Sequence, residues 1–186
     1  MRIISGKLKG KRFQFLKSNF TRPLKDSVKE NIFNIIKHSI KINIKLEDSN
    51  ILDLYSGVGS FGLECISRGA KKVTFFEQSP QAIKILNQNL NNLSIVDKAK
   101  VFEQKIENIY KLNVMEKYNL IFLDPPFADN DFINNLKIIK ENKIFEKKHL
   151  IIIHRENNSD ENFEKFLNLK IIKTYGRSKI FFGSFR

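Results

Sequence analysis

Asp53-Leu54-Tyr55-Ser56-Gly57-Val58-Gly59-Ser60-Phe61-Gly62 continues an apolar run that begins at Ile51 and leads into a stretch of helical spacing. An apolar strand, a turn with three glycines and a helix make the opening unit of an open α/β sheet. The glycines permit a tight turn and a close approach of main chain to a ligand. As a bare pattern the loop satisfies G-x-G-x-x-G, which dinucleotide-binding folds share. Asp53, four positions before Gly57, argues for another ligand. Its carboxylate repels a pyrophosphate and suits the cationic methionine portion of S-adenosylmethionine. A chain of 186 residues also leaves no room for a second, substrate-binding domain. Tyr55, Ser56, Gly57 and Gly59 are therefore assigned with Asp53 to a cofactor loop.

Outward from this loop the chain alternates strand and helix patterns. Strands are expected at 51–55, 72–76, 99–102, 119–123, 149–153, 170–174 and 180–184, and helices at 60–68, 80–91, 106–112, 130–140 and 160–167. Short continuous apolar runs such as Leu120-Ile121-Phe122-Leu123 suit strands covered on both faces, and hence a mostly parallel, doubly wound sheet. Only Tyr175-Gly176-Arg177-Ser178 separates the last two strands, too little for a parallel crossover, so that pair is expected to be antiparallel. The second strand, Val73-Thr74-Phe75-Phe76-Glu77, ends on a carboxylate suited to accept hydrogen bonds from ribose hydroxyls, with Gln78 beside it.

Asn119-Leu120-Ile121-Phe122-Leu123-Asp124-Pro125-Pro126-Phe127 carries the chemistry. An exocyclic base amine is a poor nucleophile because its lone pair is delocalised into the ring. A carboxylate oxygen of Asp124 and the carbonyl of Pro125 can each accept one amine hydrogen, favour a more tetrahedral nitrogen and aim its lone pair at a sulfonium methyl. Pro125 and Pro126 stiffen the loop, since proline fixes φ and removes a donor. Phe127 offers a face on which an extruded base can stack. Asp124 thus serves the substrate and borders the cofactor. The spacing after Asp53-x-x-x-Gly-x-Gly, with Glu77 between, exceeds what a Pro-Pro turn capping a strand requires.

The composition, 41% hydrophobic and 28% charged, is that of a globular domain. No apolar run approaches the roughly 20 residues of a membrane span, and the N-terminus carries no signal-peptide stretch. One cysteine, Cys65, excludes an intrachain disulfide, and three scattered histidines give no metal-ligand spacing. The protein is expected to be cytoplasmic, metal-free and monomeric. Its net charge of +13 is diluted as a signal by an abundance of Lys, Ile and Asn throughout the chain, but its placement is informative. Residues 1–30 hold nine Lys/Arg against Asp26 and Glu30, a net +7, as an electrostatic footprint for phosphates would. Residues 2–17 alternate apolar and basic positions around Gly6 and Gly10 and read as a basic β-hairpin. Arg2, Lys7, Lys9, Lys11, Arg12 and Arg22 are the candidate phosphate contacts. After Thr21-Arg22-Pro23, the spacing of Val28, Ile32, Phe33, Ile35 and Ile36 predicts an amphipathic helix with Asp26 as its N-cap. One domain over 1–186 is expected, with 1–25 a basic hairpin extension and 26–186 the helix and catalytic core.

These residues together resemble the RsmD family of bacterial 16S rRNA guanine-N2 methyltransferases. The likeness spans nearly the whole chain. It includes Arg2-Ile3-Ile4-Ser5-Gly6, Lys9-Gly10, Thr21-Arg22-Pro23 with Asp26, Val28, Glu30 and Phe33, then Ile51 through Glu64, Ser67-Arg68-Gly69-Ala70, Glu77 and Asp124-Pro125-Pro126-Phe127. The resemblance implies a Rossmann-like seven-stranded class I methyltransferase with an N-terminal hairpin. It also implies methylation of one guanine N2 in the 16S ribosomal RNA of the small subunit, with 1–25 as an RNA-binding hairpin extension and Arg2, Lys7, Lys9, Lys11, Arg12 and Arg22 as the RNA contacts. Two positions depart from the family pattern. Lys105 stands where an acid near the cofactor adenine is common, leaving Gln104 as the substitute contact, and Ser27 stands where the family commonly has arginine. An N6-adenine methyltransferase on DNA or RNA, or a catalytically silent RNA-binding assembly factor, stays open beside this reading. His38, His149 and His154 read as surface or packing residues, Cys65 as core, and Arg177 and Ser178 as able to reach the active-site side.

Overall fold

The computed structural model describes residues 1–16, 24–111, 116–129 and 132–186. Thr21-Arg22-Pro23, and with it the expected RNA contact Arg22, lies outside the described residues. The strands are β1 (Asn50–Leu54), β2 (Lys72–Glu77), β3 (Ala99–Glu103), β4 (Tyr118–Leu123), β5 (Phe145–Glu156), β6 (Leu167–Tyr175) and β7 (Ser178–Phe185). The helices are α1 (Asp26–His38), α2 (Ser60–Ser67), α3 (Pro80–Asn92) and α4 (Phe132–Glu141). All seven strands join one sheet in the order β3-β2-β1-β4-β5-β7-β6, with β7 antiparallel to both β5 and β6 and the other pairs parallel.

The period of two along each strand sorts the core into two layers. Ile51, Val73, Phe75, Leu120, Phe122, Leu150 and Ile152 face one side, where Val28, Ile32 and Phe33 of α1, Leu63 of α2 and Leu86 of α3 cover them. Leu52, Leu54, Phe76, Ile121, Leu123, Ile151 and Ile153 face the other, under Phe132, Leu136 and Ile139 of α4 and under Ile106, Ile109 and Phe163. Phe33, Phe61 and Phe122 stack in sequence, with ring centroids 5.1 and 3.9 Å apart, and tie α1 through α2 to β4. Each such fully buried side chain contributes about 1.5–3 kcal/mol through removal from water.

Several boundaries differ from the sequence expectation. Asp26 sits within the first turn of α1 rather than capping it, where its carboxylate lies 3.6 Å from Lys29 Nζ and suits the positive end of the helix. The stretch expected as a helix at 106–112 is a 3-10 helix over Ile106–Lys111. No helix forms at 160–167. The N–H groups of Phe166 and Leu167 both donate to Phe163 O, which closes a single turn before Leu167 enters β6. Phe163 and Leu167 imitate helical spacing because both are buried, but the strand claims the second of them.

The N-terminal hairpin is narrower than its alternation implies, with one bridging pair, Arg2 with Arg12. Around it Ile3 N–H donates to Lys11 O and Gly10 N–H to Ile3 O, each at 2.9 Å. Most of the segment's remaining main-chain bonds go to the body. Glu64 of α2 accepts from Ile4 and Ser5 N–H, and Lys7 N–H donates to Ser67 O at 2.7 Å.

Candidate active site

Strand order reverses at β1, whose neighbours are β2 on one side and β4 on the other. Crevices beyond the carboxyl ends of strands at such a switch point are where open α/β sheets bind ligands. Asp53 of β1, Glu77 of β2 and Asp124 just past β4 all lie at this edge. Asp53 is buried and its Oδ2 accepts from Gly62 N–H at 2.9 Å. Burial pushes its carboxyl well above the ordinary range; the Gly62 N–H opposes this, while the negative fields of Asp124 and Glu77 add to it. Glu77 is fixed by main chain: one oxygen accepts from Gly57 N–H at 2.8 Å and the other from Gln78 and Ser79 N–H at 3.0 and 2.9 Å. Ser79 also caps α3, with Pro80 in the first turn.

The glycines of the loop divide by role. Gly57 (φ +54°) has open space where a Cβ would stand. A Cβ on Gly59 (φ +87°) would lie 2.5 Å from Leu86, and one on Gly62 would lie 2.2 Å from Phe75. Packing of α2 and α3 against the sheet therefore demands Gly59 and Gly62, whereas Gly57 alone of the three borders open space. Tyr55 adopts φ 57° and its hydroxyl accepts from Asn135 Nδ2 at 2.7 Å, which turns the ring toward α4. Ser56 is buried, with its hydroxyl donating to Phe76 O at 3.3 Å. Gln78 is exposed, and Gln104 N–H donates to Glu77 O at 3.0 Å, beside the exposed Lys105.

Two residues of β5 hold the Asp124-Pro125-Pro126-Phe127 loop. The register that pairs Leu123 with Ile153 continues by one residue and sets His154 beside Asp124. His154 is buried; its Nδ1 lies 2.7 Å from Asp124 Oδ1 and its Nε2 lies 2.9 Å from Ser178 Oγ. Phe127 meets the imidazole edge-on at 5.7 Å. Arg155, on the opposite face, donates to Pro126 O at 3.1 Å and Phe127 O at 3.0 Å, and its Nε reaches Glu161 at 2.6 Å. Its guanidinium lies over the Phe132 ring.

The three histidines differ in what they touch. His38 is exposed and His149 packs between Phe145 and Phe185, as a packing residue would. His154 instead touches the carboxylate expected to do the chemistry. Ser178 reaches the site through His154, while Arg177 turns outward to Glu156. Spacing gave no sign of His154 or Arg155; only the β4–β5 register brings them in.

Arg2, Lys7, Lys9, Lys11 and Arg12 are all exposed on the N-terminal turn, remote in sequence from the loop but not in space. Asn89 of α3 accepts from Gln14 N–H at 2.8 Å and donates to Gln14 O at 3.0 Å and to Val58 O at 3.2 Å, joining the end of this basic segment to the glycine loop. Phe15, next in the chain, is exposed. Among the described residues no helix is long and apolar enough to cross a membrane, and no group of three or more His, Cys, Asp or Glu could hold a metal ion.

The model of the family described as Conserved hypothetical protein 95 matches residues 1–184. A curated relative from Haemophilus influenzae, ribosomal RNA small subunit methyltransferase D, is 36% identical over 132 residues, 70% of this chain and 65% of that one. Its namesake from Buchnera aphidicola is 36% identical over 127 residues, 68% of this chain and 61% of that one. The matched stretches thus span less than two thirds of these two relatives' own lengths. A solved structure of a candidate methyltransferase from Escherichia coli shares the fold, with a TM-score of 0.83 at 24% identity over 100% of this chain and 98% of that one. Family model and curated relatives agree: the chain belongs to the RsmD family, within the class I methyltransferase fold.

Proposed function

We propose that this chain methylates the exocyclic N2 amine of a guanine in the 16S ribosomal RNA of the small subunit, using S-adenosylmethionine. The observation that carries this reading is the place of Asp124, just past β4 at the β1–β4 switch point, where its field and that of Glu77 both reach Asp53. The donor set fits the cofactor: open space over Gly57, Glu77 at the end of β2 for the ribose, and Asp53 under the loop for the cationic end. When bound, the cofactor would supply a methyl whose C–S bond breaks, with its electron pair going to sulfur, as the amine lone pair forms the N–C bond; the proton then shed by the nitrogen would pass to Asp124. Asp124 and Pro125 orient that amine, Phe127 supports the base plane, and the stiff loop keeps both acceptors in place, so positioning provides most of the rate. The relatives' names, which place them on small-subunit ribosomal RNA, favour RNA over DNA as substrate. The exposed cations of residues 2–12 then engage phosphates and hold the ribosomal substrate.

The test is mass-spectrometric mapping of nucleosides in 16S RNA from cells with and without the gene, followed by restoration with purified protein. N2-methylguanine at one position, lost and restored with the protein, is the expected result. Methylated adenine in its place, or unchanged RNA, would overturn the assignment of guanine.

A further inference from the structure

Asp124 has two oxygens, and the structure commits one of them. Oδ1 is 2.7 Å from His154 Nδ1, while Oδ2 makes no hydrogen bond to the described residues on a side chain still 24% exposed. A carboxylate can only accept, so Nδ1 must carry a proton. The Ser178 hydroxyl, 2.9 Å from Nε2, can donate to that nitrogen and so keeps the neutral imidazole in the Nδ1–H form. His154 itself is packed on several sides: it is buried, it lies in the β5–β7 ladder opposite Ile180, and Phe127 closes on its edge. One oxygen of Asp124 is thereby held, and the other is left uncommitted among the described residues.

We propose that His154 is the positioning residue of the methyl-transfer site: it turns Asp124 so that Oδ2 alone faces the substrate amine, and Ser178 sets its tautomer. This deepens the reading under "Proposed function" and rests on it. One amine hydrogen then goes to Oδ2 and the other must find the Pro125 carbonyl. The divided acceptance is what directs the nitrogen lone pair, and a rotating carboxylate would accept both hydrogens in one plane and lose that direction. The imidazole contacts no reacting atom.

Three variants separate orientation from packing. The amide nitrogen of asparagine can occupy the place of Nδ1, so His154→Asn keeps the donor to Asp124. Glutamine reaches the place of Nε2, so His154→Gln keeps the Ser178 contact and loses the donor. Ser178→Ala frees the tautomer. With ribosomal substrate and labelled cofactor, His154→Gln is expected to lose about 100-fold in kcat with KM and cofactor Kd near wild type, and His154→Asn to stay within about threefold. Imidazole nitrogen-15 shifts in the cofactor-free protein should show protonated Nδ1 in wild type and a mixture of tautomers in Ser178→Ala. Equal impairment of His154→Asn and His154→Gln, or an unprotonated Nδ1 in wild type, would overturn the proposal. The modified nucleoside is identified in the same assay. A correct variant order on adenine would overturn the guanine assignment and leave the role of His154 standing, whereas a wrong order on guanine would do the reverse.

Discussion

Glu64, in the middle of α2, holds Ser5 by its backbone N–H at 2.9 Å, across 59 residues of chain. Its other oxygen takes Ile4 N–H at 2.8 Å, and Arg68 Nε binds the Glu64 carboxylate at 2.8 Å. The carboxylate is fully buried, so its contacts with the N-terminal segment are not shared with water. Hydrogen bonds to a charged acceptor are individually strong, and Glu64→Ala should cost about 2–4 kcal/mol of unfolding free energy. Hydrogen exchange gives the sharper readout. The Ile4 and Ser5 amides should lose protection while those of β1 and β4 keep theirs. Protection unchanged at Ile4 and Ser5 would show that Lys7–Ser67 pairing anchors the segment without Glu64.

Asp53 makes the fold's stability depend on pH in an unusual direction. Burial, reinforced by Asp124 and Glu77 and only partly opposed by Gly62 N–H, raises its folded pKa above the ordinary 3.8. The folded chain therefore holds the Asp53 proton more tightly than the unfolded chain. Its contribution favours folding fully below 3.8 and is lost as pH rises through the folded value. Asp53→Asn retains an acceptor for Gly62 N–H and removes the ionisation. That variant should melt higher than wild type at pH 8, and the gap should shrink steadily as pH falls toward 4. Thermal melts across this range check the sign; a gap that widened in acid would refute it.

Arg155 binds the loop through its carbonyls, the part of the chain that no side-chain substitution in Asp124–Phe127 alters. Its guanidinium reaches Pro126 O, Phe127 O and Glu161 at once, and is 2% exposed as a residue. Lysine cannot reproduce that fork. Arg155→Ala should destabilise the fold by about 3–5 kcal/mol because Glu161 loses its partner in a poorly hydrated place. Arg155→Lys should keep more of the stability but release the loop, lowering methyl transfer by about 100-fold. A lysine variant with normal turnover would show that the prolines alone keep the loop rigid.

The sheet was legible because its strands are apolar runs of the right length between glycine turns, and a parallel order follows from strand–helix alternation. The edge carboxylates Asp53, Glu77 and Asp124 were legible for the same reason, since each lies in or at the end of an apolar run that leads into a turn. His154 was not. It continues an apolar run too, but a histidine after Ile153 is chemically silent until β5 is known to lie beside β4 in a register that meets Asp124. Glu64 and Asn89 escaped in the same way, because their partners are main-chain groups 60 and 75 residues away. The segment at 160–167 misled for the opposite reason. Phe163 and Leu167 are both buried, and a periodicity made by tertiary burial looks the same as one made by a helix.

Asp124→Ala separates substrate chemistry from folding. Asp124 is 24% exposed by its side chain and its one polar partner among the described side chains is His154, so the fold should survive. The alanine variant also relieves Asp53 of a neighbouring negative charge, which leaves the glycine loop intact or slightly more stable. Calorimetry should find cofactor affinity within about threefold of wild type while methyl transfer falls below detection, since the amine loses one of its two acceptors. Residual turnover near wild type would assign the acceptor role to another group.

The basic turn should be separable from the chemistry altogether. Lys7, Lys9, Lys11 and Arg12 are exposed, and the main-chain bonds of their segment, not these side chains, hold it to α2. Reversing all four charges to glutamate changes the field facing RNA by eight units of charge and leaves the buried packing as it was. Affinity for ribosomal RNA should fall by more than about tenfold at low salt, and the slope of log K against log salt should flatten by roughly one unit for each phosphate no longer engaged. Melting temperature and cofactor affinity should stay near wild type. If instead cofactor affinity fell while RNA affinity and its salt slope held, the turn would act with the glycine loop that Asn89 joins it to, and the cations that grip phosphate would have to lie elsewhere on the chain.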